Sequence, residues 1–140
     1  MTAEQHRAWM KFTAFSVAVF GPIFSLGTVE AISEPARWSL DVLAWPIDGT
    51  QDFAASTTRF LAALTGGFLL GWGVMIWFLA TRVHKVAPEP VRQAVLAGLL
   101  AWFLLDSTGS IASGFAINAL FNVAVLVILV GPMWFPARET

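Results

Sequence analysis

The chain has no cysteine and little charge. Asp, Glu, Lys and Arg make up 12% of its 140 residues, about half the share usual in water-soluble domains. Without cysteine there can be no disulfides, thiolate metal sites, cysteine nucleophiles or cysteine-linked haem. A net charge of -1 excludes a basic nucleic-acid binder that works by neutralising phosphates, so no nucleic-acid partner is expected. Gly-x-Ser-x-Gly, His-Glu-x-x-His, phosphate-loop and dinucleotide fingerprints are also missing. The two histidines, His6 and His84, lie in polar flanks far apart in sequence, each beside basic residues, so no histidine pair inside a span can ligate haem. No metal, no cofactor and no catalytic residue is expected, and the chain reads as a non-enzyme.

What is present is apolar. Hydrophobic residues make up 57% of the chain, and the mean hydropathy is +0.72. Charge is absent from Phe60 to Thr81, and only Asp106 interrupts the stretch from Gln93 to Ala137. A helix rises about 1.5 Å per residue, so roughly 20 apolar residues cross a hydrocarbon layer of about 30 Å. Runs at about 8–28, 60–81, 93–112 and 115–135 meet that length. Every backbone amide in hydrocarbon needs an internal partner, and the runs lack the alternation of barrel strands, so they are predicted to be helices. Ser113-Gly114 suits a tight turn between the last two. The expected fold is therefore all-α: a single membrane domain over 1–140, an integral membrane bundle of four transmembrane helices.

Orientation follows from Lys and Arg near the span ends. Arg7, Lys11, Arg82, Lys85, Arg92 and Arg138 fall on one side, and Arg37 and Arg59 on the other. That bias predicts both termini to be cytoplasmic, in a multi-pass protein of the bacterial inner membrane, with the lipid bilayer as first partner. The rival is a cleavable secretory signal, built on Arg7, Lys11, the first apolar run and Val29-Glu30-Ala31; Gly21-Pro22 in mid-run and the length of the run argue against it. The outer loop, 30–58, holds Glu34 to Pro46, where Pro35 stands near a first turn, Pro46 stands at the end, and Trp38, Leu40, Val42, Leu43 and Trp45 stand among polar residues. This reads either as a short interfacial helix or as a loop with two tryptophan anchors. The second connection, Arg82 to Val91, reads as a plain turn.

Asp106 is the one acidic residue within the last two spans, and an ionisable side chain at membrane depth demands a partner, water or neutralisation. Ser107, Thr108, Ser110 and Ser113 follow it. Arg59 opens the second span on the same side and is expected to reach Asp106, while Asn118 and Asn122 share a face of the fourth span. Arg59, Asp106, Asn118 and Asn122 are thus expected to converge in the outer half, either as polar glue between helices or as a small ligand-binding pocket.

Ala63, Gly67 and Gly71 recur every four residues in the second span, with Ala62 and Gly66 on an adjoining stripe. Such small residues allow close backbone approach. The expectation is helix packing inside the bundle, with a homodimer face as the alternative, so that Gly67→Leu would disrupt folding. Trp9, Trp38, Trp45, Trp77 and Trp134 fall near span boundaries as an aromatic belt. Trp72 and Trp102, with Phe68, Phe78, Phe103 and Phe121, either pack the interior or line an apolar groove.

Arg59 before the Gly-rich run Gly66-Gly67-Phe-Leu-Leu-Gly71, then Asp106 and an asparagine at 118 or 122, resembles small four-span DoxX-like bacterial membrane proteins over roughly the last 80 residues. That resemblance implies an architecture, and association with membrane redox complexes or accessory roles. The leading expectation is an accessory or assembly subunit that docks onto itself, as a homo-oligomer, or onto a larger membrane complex. The alternative is a binder or carrier of a small amphipathic molecule using the outer polar cluster.

Overall fold

The computed structural model describes residues 2–137; Arg138, one of the basic residues that set the expected orientation, lies outside them. All regular structure among the described residues is helical: α1 (Ala3–Leu26), α2 (Glu34–Ala44), α3 (Ser56–Phe78), α4 (Pro88–Ala112) and α5 (Ala116–Val130). Single 3-10 turns stand at Glu30–Ile32 and Gly131–Trp134, and a π turn at Leu79–Val83 prolongs α3. Four helical segments are long and apolar enough to cross a membrane: Ala3–Leu26, Ser56–Val83, Pro88–Ala112 and Ala116–Trp134. Large apolar side chains cover the outside, with Phe15 66%, Phe68 75% and Leu105 78% exposed, a surface suited to lipid rather than water.

The helices begin earlier than the apolar runs because polar first turns are helical too. At α1, the Thr2 hydroxyl accepts from the Gln5 amide while Gln5 Oε1 accepts from the Thr2 amide, which satisfies two otherwise free donors. At α4, Pro88 occupies the first turn, where its missing N–H costs nothing. The connection read as a plain turn is shorter and more structured: the π turn carries the chain to His84, whose amide donates to the Leu79 carbonyl at 2.9 Å.

α1 and α3 run antiparallel and pack along a stripe of small residues. A Cβ on Gly21 would stand 2.8 Å from Leu70 Cβ, and one on Gly73 would stand 2.7 Å from the Ala14 carbonyl oxygen and from Ala18 Cβ. α4 and α5 form a hairpin through Gly114, whose φ of +89° favours glycine. The two pairs join at the end where α1 starts and α3 finishes, hereafter the basal end. There Met10, Ala14, Ile76, Val91, Leu99, Leu129, Val130 and Met133 form the buried core.

The α1–α5 junction follows from one proline. Pro132 has no N–H to return to the Ile128 carbonyl, and the 3-10 turn leaves the Leu129 carbonyl free as well. Both carbonyls are met from α1: Trp9 Nε1 donates to Ile128 at 3.0 Å and the Thr13 hydroxyl to Leu129 at 2.7 Å. In hydrocarbon, carbonyls freed in this way need partners from a neighbouring helix. The break in α5 thereby fixes its register against α1.

Of the two readings of the outer loop, the helix is the one found. α2 buries Ala36, Ser39 and Asp41, with Ala36 packed near Phe53 and Ala62, and leaves Trp38 and Trp45 more than half exposed. Asp41 Oδ2 accepts from the Gly49 amide at 3.1 Å and so ties the loop back to α2. α2 contacts α1 and α5 as well, so it caps the distal end of the bundle.

Candidate functional site

The α4–α5 hairpin places Asp106 and Ser110, one turn apart, against Asn118 and Asn122, also one turn apart. Asp106 Oδ1 accepts three hydrogen bonds: from Ser110 Oγ at 3.1 Å, Asn118 Nδ2 at 3.0 Å and Asn122 Nδ2 at 2.9 Å. Asn118 also donates to Ser110 Oγ at 2.8 Å, and Asn122, which is 4% exposed, donates to Ser107 Oγ at 3.2 Å. Every donor converges on one carboxylate oxygen, and among the described residues none bonds the other, Oδ2. Asn118 Oδ1 is buried with no partner among the described residues. The cluster therefore holds α4 to α5 and keeps acceptor capacity in reserve, which suits a hydrogen-bond donor or a cation rather than an anion.

Three of the four expected cluster residues meet. Arg59 does not join them: its Nη1 donates to the carbonyls of Phe53 and Ala54 at 2.8 and 2.6 Å, capping the chain entering α3. Those carbonyls lie within reach of the first turn of α3, whereas Asp106 stands on a helix that touches α3 little. No Arg59–Asp106 ion pair forms among the described residues.

The small-residue stripes exchange roles relative to expectation. Gly66 and Gly73 meet α1, and Ala62, buried on the same helix, packs with Ala36 and Phe53. Ala63, Gly67 and Gly71 point outward, and among the described residues no other part of the chain stands within 4 Å of where a Cβ on Gly67 or Gly71 would be. Intramolecular packing therefore does not use them. Trp72 and Trp102 pack ring to ring at 6.5 Å between α3 and α4, while Phe68 and Phe78 face outward, so these aromatics do not enclose a common groove.

The sequence reading passed over a second polar centre at the basal end. His6 and His84 are 2% and 3% exposed. Arg92, 7% exposed, donates from Nη1 to the Met133 carbonyl at 2.6 Å and from Nε to Glu89 Oε2 at 2.7 Å. Burial pushes the His84 imidazole below its ordinary value, and the neighbouring His6 and Arg7 push in the same direction. The available signal was the shared side of these flanks in a four-span topology; which flanks touch depends on helix order around the bundle.

These features define an all-helical chain with four candidate spans, a carboxylate–amide cluster in one half and a histidine–arginine centre at the opposite end. No protein-family model, curated protein or solved structure matches the chain.

Proposed function

We propose that the chain is a small multi-pass protein of the bacterial plasma membrane with both termini in the cytoplasm, acting as a non-enzymatic accessory or assembly subunit. Docking is through the outward face of α3. The observation that carries this reading is the open stripe Ala63, Gly67 and Gly71, where the backbone of a second transmembrane helix can approach closely. Lipid tails give no hydrophobic drive for helix association, so close packing on small residues is the available one. The resemblance to DoxX-like proteins accords with an accessory role. Purification in mild detergent with identification of co-purifying chains tests it. Gly67→Leu is expected to fold and to release the associated chain; a wild-type protein that is a lone monomer across repeated preparations contradicts the proposal.

A second reading, a binder of a small amphipathic molecule, rests on the unpartnered Asn118 Oδ1 and the donor-free Asp106 Oδ2. It no longer includes Arg59. Ligand-dependent thermal stabilisation that disappears in Asp106→Asn, with the fold intact, would favour it over polar glue.

A further inference from the structure

A cleft of about 210 Å³ opens at the basal end and is lined by Ala3, Glu4, Arg7, His84, Lys85 and Pro88. Two long helices begin at its walls: α1 at Ala3 and α4 at Pro88. Both starts carry the partial positive charge of a helix N-terminus, which favours anions, although Thr2 already caps the Gln5 amide of α1 and Pro88 and Pro90 leave Glu89 as the one amide in the first turn of α4. That Glu89 amide is uncapped, because the N-cap residue, Ala87, offers it no side-chain hydrogen bond. Arg7 and Lys85 add full positive charges from α1 and from the segment after the π turn. Glu4 opposes them, yet its side chain is 86% exposed and stands 3.9 Å from Arg7 Nη2, a loose contact that is free to swing into solvent.

The observation that turns this positive wall into a site is His84. It lines the cleft, is 3% exposed, and its Nε2 is buried without a hydrogen-bond partner among the described residues. A buried, unmet ring nitrogen is costly unless something supplies the partner. We propose that the cleft binds a phosphate-type anion, held by Arg7 and Lys85 and by the protonated His84 ring donating through Nε2. A phosphate carries the charge and the several acceptor oxygens that these donors need together. The source is either a lipid headgroup at the membrane surface or a free phosphate.

Anion binding and His84 protonation are coupled. Without the anion, burial, His6 and Arg7 lower the proton affinity of the imidazole below its ordinary value. The charged groups around it are Arg7, Glu4 and His6 on α1, Lys85 beside it, and Glu89 and Arg92 on α4 near His6. A bound phosphate places negative charge beside the ring and so raises its affinity for a proton. This inference is independent of docking on α3.

The chain has only two histidines, so ring resonances are assigned by His84→Gln alone. The full chain is titrated by NMR in neutral detergent with sodium phosphate or with sodium chloride at equal ionic strength. In a second arm it is titrated in phosphatidylcholine nanodiscs with and without phosphatidic acid. The expected result is an upward shift of the His84 midpoint by half to one pH unit in one arm. A shift with inorganic phosphate identifies a free phosphate, and a shift with phosphatidic acid alone identifies a headgroup. Arg7→Gln with Lys85→Gln should abolish the shift; Lys85 is exposed, so Lys85→Gln alone, which should at least halve it, serves if the double variant does not fold. No shift in either arm, or a full shift retained in Lys85→Gln, overturns the proposal.

Discussion

The exchange of roles between the two stripes on α3 is tested by a pair of alanine substitutions. A Cβ on Gly73 would stand 2.7 Å from the Ala14 carbonyl oxygen, the Ala18 amide nitrogen and Ala18 Cβ. Two of these are backbone atoms and the third is a methyl fixed to the backbone, so none can rotate away and α1 must shift. Overpacking of this kind costs about 1 to 3 kcal/mol. A Cβ on Gly71 meets nothing, while alanine gains about 0.5 to 1 kcal/mol over glycine in a helix. The propensity gain is common to both variants, so they should differ by the overpacking cost of about 1 to 3 kcal/mol, or roughly 3 to 12 °C in thermal midpoint for a chain of this size. Differential scanning in mild detergent at one scan rate reads the contrast, since membrane proteins often unfold irreversibly. Gly71→Ala is expected at or slightly above the wild type and Gly73→Ala well below. Equal midpoints, or a larger fall in Gly71→Ala, would refute the packing assignment.

Trp9→Phe keeps the ring but withdraws the donor from the Ile128 carbonyl, so it should cost about 0.6 to 2 kcal/mol, seen as a lower thermal midpoint with unchanged helical circular dichroism. Asn122→Ala removes two bonds around Asp106 and should destabilise by about 1 to 3 kcal/mol, whereas Arg59→Gln, remote from that cluster, should cost less than about 1 kcal/mol; a reversed order in chemical denaturation would restore the Arg59–Asp106 pair. His84 titrates below its ordinary value when folded, so the unfolded chain takes up its proton first. Without phosphate, stability should be level above about pH 6.5 and fall on acidification, by at most about 1.4 kcal/mol per pH unit for the one ring. Stability that rises on acidification would contradict this.

The spans were legible because charge is excluded from them over stretches as long as a bilayer is thick, a signal independent of tertiary structure. Their ends were less so: Ala3 to Arg7 and Ser56 to Arg59 are polar but helical, since caps and turn residues rather than hydropathy set where a helix starts. Asp106, Asn118 and Asn122 could be grouped in advance because the short connection at Ser113-Gly114 makes neighbours of α4 and α5 and helical spacing does the rest. Arg59 could not be placed that way, since a long side chain takes the nearest unmet acceptors, here the Phe53 and Ala54 carbonyls. The two α3 stripes are both small, so only the partner helix tells them apart: Gly21 and Ser25 of α1 meet Gly66 and leave Gly67 open. The basal histidines were hidden for the same reason, because their adjacency depends on the order of helices around the bundle.

The docking role rests on a second helix lying against the open face of α3, and photo-cross-linking in intact membranes addresses it most directly. A photoreactive side chain is placed at position 67 or 71, and at Gly109 of α4, which also faces open space, as the control. The account predicts one discrete product of the same mass from positions 67 and 71 and none from 109. Lipid adducts alone at 67 and 71, or the same product from all three positions, would contradict it.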